Sequence, residues 1–280
     1  AAVRSAEDAL TIRPLETPDD LRACVRLQEE TWGPGFSEKV PYAVLWFTCR
    51  IGGVLIGAFD GDELVGYVFG VTGWRDRRPV HWSDMLAVRR DIRDRGIGLQ
   101  LKRAQRAALL EAGVTLAQWT FEPLESRNAY LNLVRLGGVA RTYERDVYGD
   151  SDSPLHGVIG TDRLIIDWHL DSPRVEGRLA GARATPPDAA SLPAVNMVEI
   201  RDGIPVCTAV DIDRTDDAVA LLIPADIARV RERDADVARG WRACTRSAFE
   251  AYLARGYVVT ELIRRDEQVS AYVFQRNDPT

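Results

Sequence analysis

Leu86-Ala87-Val88-Arg89-Arg90-Asp91-Ile92-Arg93-Asp94-Arg95-Gly96-Ile97-Gly98-Leu99-Gln100 is the stretch around which the rest of the chain can be read. An apolar triplet, Leu86-Ala87-Val88, runs into a loop of charges and glycines. The pattern then becomes helical over Gly96–Ala112, with Gly113 as a C-cap. A strand–loop–helix of this kind turns several backbone N–H groups toward the helix N-terminus, which suits an anion. Gly96 and Gly98 have no Cβ, so the backbone there can approach a pyrophosphate closely. Arg89, Arg90, Arg93, Arg95, Lys102, Arg103 and Arg106 put positive charge around the loop, against only Asp91 and Asp94. The spacing is not that of the common nucleotide loops, because neither GxGxxG nor GxxxxGK[ST] is present.

Outward from this stretch, elements are legible on both sides. Thr11–Leu15 reads as a strand. Thr17-Pro18-Asp19-Asp20 reads as a helix start, with Thr as N-cap, Pro at N1 and acid in the first turn. That helix runs toward Gly33. Gly53–Phe59 and Glu63–Val71 read as a hairpin about Asp60-Gly61-Asp62, and Trp82–Val88 as a strand. Residues 33–50 and 72–82 read as loops, with Tyr42–Cys49 an apolar segment of open type. Beyond the helix come a strand at Val114–Phe121, a short helix at Asn128–Leu136, and strands at Val139–Tyr148 and Leu164–Leu170. Residues 171–190 are rich in Pro, Gly and Ala with little apolar period, which reads as a linker. A hairpin (Val195–Ile200, Pro205–Ile212), a strand (Val219–Ile223), a long helix (Ile227–Arg255, with a break near Gly240) and a strand pair (Tyr257–Arg264, Gln268–Gln275) follow.

This organisation predicts a tail at 1–10, a domain at 11–170, the linker at 171–190 and a smaller α+β region at 191–280. The composition, 46% hydrophobic and 28% charged, is that of a soluble globular protein able to bury a core. A net charge of −6 argues against a nucleic-acid-binding face. No apolar run is long enough for a membrane helix, and the first residues carry no apolar signal core, so the expected location is cytoplasmic. Cys24, Cys49, Cys207 and Cys244 are widely spaced, with neither a CxxC pair nor a neighbouring His. They read as buried free thiols, and no metal site is expected.

Arg93-x-x-Gly96-x-Gly98 resembles the acyl-CoA pyrophosphate motif of the GNAT superfamily of N-acetyltransferases, [QR]-x-x-G-x-[GA]. The strand before it and the helix and strand after it agree with that resemblance. Ser126-Arg127-Asn128-Ala129-Tyr130-Leu131-Asn132-Leu133-Val134-Arg135-Leu136-Gly137 resembles a second family motif, N-x-x-A-x-x-x-Y-x-x-x-G. Aligned on Ala129 and Gly137, Ser126 stands at the usual Asn and Leu133 at the usual Tyr, with Asn128 a candidate to replace the amide. The wording from Thr120 to Asn132 looks like a poorly characterised bacterial branch, some of whose relatives succinylate amino acids. The resemblance covers about residues 11–170 and stops by 190.

The resemblance implies a mixed α/β (α+β) fold, with a mostly antiparallel sheet flanked by helices. It implies a transferase using acetyl-CoA or another acyl-CoA as co-substrate, without metal, and acting on the amine of a small molecule or amino acid by direct attack. Leu86, Ala87 and Val88 would supply backbone donors. Arg93, Asp94, Arg95, Gly96, Ile97, Gly98, Leu99, Ser126 and Asn128 would bind coenzyme A. Asp84 and Glu122 are the candidate bases, with His81 a third, and Tyr143 is the candidate acid in place of the absent tyrosine at Leu133. A non-catalytic acyl-CoA sensor and a protein or peptide N-acetyltransferase are the alternatives. Residues 191–280 would close the acceptor pocket, form a homodimer interface, or be a degenerate second half.

Overall fold

A computed structural model describes residues 10–33, 35–36, 38–93, 95–149, 159–182 and 191–277. Asp94 and most of the expected tail lie outside the described residues, as do 183–190. The chain forms two compact units divided between Gln118 and Trp119. The expected boundary at 171–190 lies within the second of these units.

The first unit holds β1 (Thr11–Pro14), α1 (Pro18–Trp32), α2 (Tyr42–Thr48), β2 (Val54–Asp60), β3 (Glu63–Arg75), β4 (Arg78–Val88), α3 (Ile97–Glu111) and the start of β5 (Leu116–Phe121). Thr17 caps α1 as expected, its hydroxyl accepting from the Asp20 N–H, and Asp20 bonds back to the Thr17 backbone to complete a capping box. Strands β1 to β4 are consecutive antiparallel neighbours, and β4 runs parallel to β5. Leu21, Cys24 and Leu27 of α1 pack with Leu55, Phe59, Tyr67, Phe69, Met85 and Ala87 into the core of this unit. Residues 72–82, read as a loop, instead finish β3 and begin β4, joined at Asp76-Arg77, both with positive φ.

One irregularity in β4 matters for the site. Phe69 faces Met85 and Val71 faces Trp82, so Ser83 and Asp84 together oppose Gly70, a β-bulge. A Cβ on Gly70 would lie 2.3 Å from His81 Nε2 and 2.5 Å from the Trp82 carbonyl, so only glycine fits there. The extra residue changes which face the side chains take. Met85 and Ala87 join the α1 core, whereas Ser83, Leu86 and Val88 turn to the α3 side.

From Trp119 onward lie the rest of β5, α4 (Ser126–Ala129) with a π-helical continuation (Tyr130–Arg135), β6 (Val139–Glu144), β7 (Arg163–His169), α5 (Pro173–Leu179), β8 (Asn196–Arg201), β9 (Ile204–Val210), β10 (Ala218–Pro224), α6 (Ile227–Arg233), α7 (Ala235–Ala254), β11 (Val258–Arg264) and β12 (Val269–Gln275). The expected linker contains α5. Ser172 caps it, Val175 is buried, and Arg174 and Arg178 both pair with the buried Glu261 of β11. Composition alone suggested a linker because those contacts are made by charged residues.

The expected helix break near Gly240 falls instead at Asp234. Its extended backbone ends α6, and its carboxylate caps the Asp236 and Val237 N–H groups of α7. Cys207 of β9 and Cys244 of α7 form a disulfide, which corrects the reading of four free thiols; Cys24 and Cys49 are free. The strand order here, β5-β7-β6 followed by β11-β12-β10, is mirrored about an antiparallel pairing of β6 with β11 at Ala140 and Val259. The connection β10–helices–β11–β12 thus repeats that of β5–helix–β6–β7, so the C-terminal region is a second half by topology. The fold class is mixed α/β, with mostly antiparallel strands and flanking helices, as expected. No helix among the described residues is long and apolar enough to cross a membrane.

Candidate active site

The loop after β4 makes a 3-10 turn at Arg90–Ile92 and enters α3 through Gly96, whose φ of 75° is left-handed. The first intrahelical bond of α3 runs from the Gln100 N–H to the Gly96 carbonyl, at 3.1 Å. The N–H groups of Ile97, Gly98 and Leu99 therefore precede the ladder. No side chain among the described residues caps this end, and its first turn holds no acid. Uncapped donors and the positive end of the helix dipole favour an anion.

The glycines add a test of fit. A Cβ on Gly96 would meet nothing within 4 Å, and one on Gly98 only Leu86 Cδ2 at 3.7 Å. The protein's own packing does not require a glycine at 98, whereas a phosphate lying against the backbone does. The loop's cations divide into groups. Arg89 pairs with Glu63 at 2.5 Å and Asp91 at 2.7 Å. Arg93 donates through Nε to the Val88 carbonyl at 3.0 Å, lying over the end of β4. Arg95 is exposed and forms no ion pair among the described residues. Lys102, expected beside the loop, is instead buried on the inner face of α3.

Strand β4 supplies the second component. Its parallel pairing with β5 covers His81↔Ala117 and Trp82↔Gln118. The Arg89 N–H bonds the Val65 carbonyl, at 2.9 Å. Antiparallel alternation then points the Ala87 N–H toward β3 and those of Leu86 and Val88 away from it. The Ala87 side chain is buried in the core.

Asp84 sits in the bulge just before these donors. Its side chain reaches solvent, yet the protein packed around it disfavours the charge and raises its pKa. None of the described residues donates a hydrogen bond to its carboxylate. His81, the third candidate base, is fully buried. Thr72 Oγ1 lies 3.0 Å from its Nδ1 and Gln105 Nε2 lies 3.1 Å from its Nε2. Burial, with the nearby Lys102, pushes its pKa down to about 3. With both nitrogens engaged, it is a structural neutral imidazole.

The remaining candidates belong to the second unit. Glu122 accepts from Arg242 at 2.5 Å, from Arg163 at 3.2 Å and from the Leu124 N–H at 3.0 Å. Both of its oxygens are occupied by these donors. Tyr143 donates to Asp162 and stacks on Phe249. Burial, followed by that bond, raises its pKa. Ser126 is buried and donates to the Pro224 carbonyl at 2.8 Å, so its hydroxyl is committed. Asn128 is exposed on α4. Leu133, at the usual tyrosine position, is fully buried core.

A polar cluster in the first unit went unread in the sequence. Lys102 Nζ donates to Ser83 Oγ at 2.7 Å and to Gln105 Oε1 at 3.0 Å, and Gln105 reaches both Ser83 and His81. Burial pushes the Lys102 ammonium down to about 7. A signal was present, since Gln105 falls on the Ile97-Leu101-Gln105-Leu109 row, the face that α3 buries. No group of three or more His, Cys, Asp or Glu is placed to hold a metal among the described residues.

Residues 21–133 match the model of the acetyltransferase (GNAT) family. Solved structures of similar shape include an acetyltransferase of the GNAT family from Streptococcus pneumoniae (15% identity, 57% of this chain and 98% of that chain, TM-score 0.47). They also include an N-acetyltransferase from Staphylococcus aureus Mu50 (14% identity, 58% and 99%, TM-score 0.46). A third is the ribosomal-protein-S18-alanine N-acetyltransferase from Escherichia coli (17% identity, 59% and 96%, TM-score 0.44). No curated protein matches the chain in sequence. The uncapped helix N-terminus behind Arg93-x-x-Gly96-x-Gly98, the strand that leads into it and the family match over the same residues agree: residues 21–133 form an acetyltransferase (GNAT) family domain.

Proposed function

We propose that the protein transfers an acyl group, acetyl or a larger one of the succinyl kind, from an acyl-CoA to the amine of a small molecule such as an amino acid. The observation that carries this reading is the pairing, within one unit, of an anion-ready α3 terminus with a β4 strand that bears two donors directed away from β3 and a carboxylate whose pKa its surroundings raise. The N–H groups of Ile97, Gly98 and Leu99 hold the pyrophosphate, with Arg95 beside it. The thioester supplies the activated acyl group. The Leu86 and Val88 N–H groups stabilise negative charge on its carbonyl oxygen as the amine adds. An amine with a pKa near 8–10 arrives mostly protonated at neutral pH. Asp84 accepts that proton directly or through water, and the second nitrogen proton, lost as the amide forms, passes through water to the departing thiolate.

Two measurements test this reading. Gly98→Val is expected to weaken coenzyme A binding at least about tenfold, roughly 1.4 kcal/mol, because it fills the space where phosphate must lie. Its melting temperature should be unchanged, since the protein leaves room for a Cβ. An unaltered calorimetric affinity would reduce the loop to a turn. A panel of acyl-CoAs crossed with amino acids and amines, followed by free thiol release, is expected to show turnover that needs both substrates. Binding without turnover on any acceptor would instead favour a sensor, and turnover confined to peptide N-termini a protein acceptor.

A further inference from the structure

Lys102 and Gln105 meet Ser83 at an informative position. Ser83 and Asp84 are the two bulge residues that oppose Gly70, so fixing one of them fixes the backbone from which the other projects. A bulge is a place where a strand can re-aim a side chain. Ser83 Oγ is held at 2.7 Å by Lys102 Nζ and lies 3.1 Å from Gln105 Nε2, and all three side chains are buried. Gly70 closes the opposite side, leaving the bulge little room to relax. Both anchors lie on α3, whose first turn carries the uncapped N–H groups. One helix therefore holds both the anion site and the strand irregularity that bears Asp84.

We propose that Lys102 and Gln105 are positioning residues, which by holding Ser83 fix the β4 bulge and so aim the Asp84 carboxylate. This rests on the reading of Asp84 as the base. Lys102 and Gln105 need touch neither substrate, because their effect passes through Ser83. The titratable groups packed about this part of β4 are His81, Lys102 and Tyr67. His81 is a neutral spacer between Thr72 and Gln105. Tyr67 donates to Met85 Sδ at 3.2 Å from the other face of the strand.

The test is Ser83→Ala, with Ser83→Thr as the conservative control that keeps the hydroxyl. Ser83→Ala is expected to lower kcat about tenfold to a hundredfold, the scale of a small misplacement of a reacting group. Coenzyme A affinity should stay within about twofold, because the α3 terminus is untouched. Ser83→Thr should recover most of the loss. The Asp84 carboxyl, followed by NMR through a pH titration, is expected to move toward ordinary carboxylate values in Ser83→Ala as its surroundings loosen. A folded Ser83→Ala with wild-type kcat and an unmoved Asp84 titration overturns the proposal. If Asp84→Asn proves active while Ser83→Ala still shifts the Asp84 titration, the base assignment fails but the control of Asp84 by Ser83 stands.

Discussion

Asp84→Asn is expected to lower kcat/KM by about 10²–10⁴-fold, the usual contribution of a general base, while coenzyme A affinity hardly changes. The asparagine keeps the size of the side chain but cannot take the ammonium proton. The loss should shrink as pH rises, because a neutral amine no longer needs a base. Stability gives an independent check. Burial raises the folded-state pKa of Asp84 above its ordinary value. At neutral pH the ionised carboxylate is therefore disfavoured by the fold relative to the unfolded chain. The neutral variant should melt at the same temperature or higher, the pattern of a group kept for chemistry. Steady-state rates across pH with a thermal melt decide the matter. A wild-type rate at neutral pH would move the base elsewhere.

Asp162→Asn is expected to destabilise the protein by about 3–5 kcal/mol, the cost of breaking a buried charge pair. Asp162 is fully buried. Arg246 donates to it at 2.6 and 2.7 Å, Tyr143 bonds it, the Asp146 N–H donates at 3.1 Å, and Arg242 Nε lies 3.9 Å away. Burial alone would raise its pKa, but the bonds from Arg246, Tyr143 and Asp146, with the charge of Arg242, hold it below the ordinary value. Its stabilising contribution is thus complete above the unfolded-state pKa of about 3.9 and is lost as pH falls through the lower folded value. Denaturant titrations at neutral pH should show the deficit. At acid pH the wild-type and variant curves should converge. A variant within about 1 kcal/mol of wild type would mean that the network is no more than a surface arrangement.

What the sequence made legible follows from which signals are local. Arg93-x-x-Gly96-x-Gly98 could be read directly, because a strand, a glycine turn and a helix start are all encoded by neighbours. The hairpin about Asp60-Gly61 was legible for the same reason. The β3–β4 hairpin was not. Its turn uses Asp76 and Arg77 at positive φ without a glycine, so the usual turn signal is missing. The bulge at Ser83-Asp84 is defined by a partner strand and leaves no local mark. Glu122 and Tyr143 stand out in the sequence because their residue types are reactive. Their committed partners, Arg242 and Asp162, lie 120 and 19 residues away in the chain. Buried arginines defeat a composition-based reading in the same way. Arg174 and Arg178 look like linker residues until Glu261 is placed between them.

The antiparallel encounter of β6 with β11 brings together strands that occupy equivalent places in two similar halves. Two separate molecules would need a two-fold axis to make the same arrangement. Here the tether sets an effective concentration, so the encounter does not weaken on dilution as a bimolecular contact does. It also places β11 against β6 at Ala140, on the side that a passing strand would otherwise meet. An association that in two chains would obey mass action is in this chain a fixed stoichiometry of one.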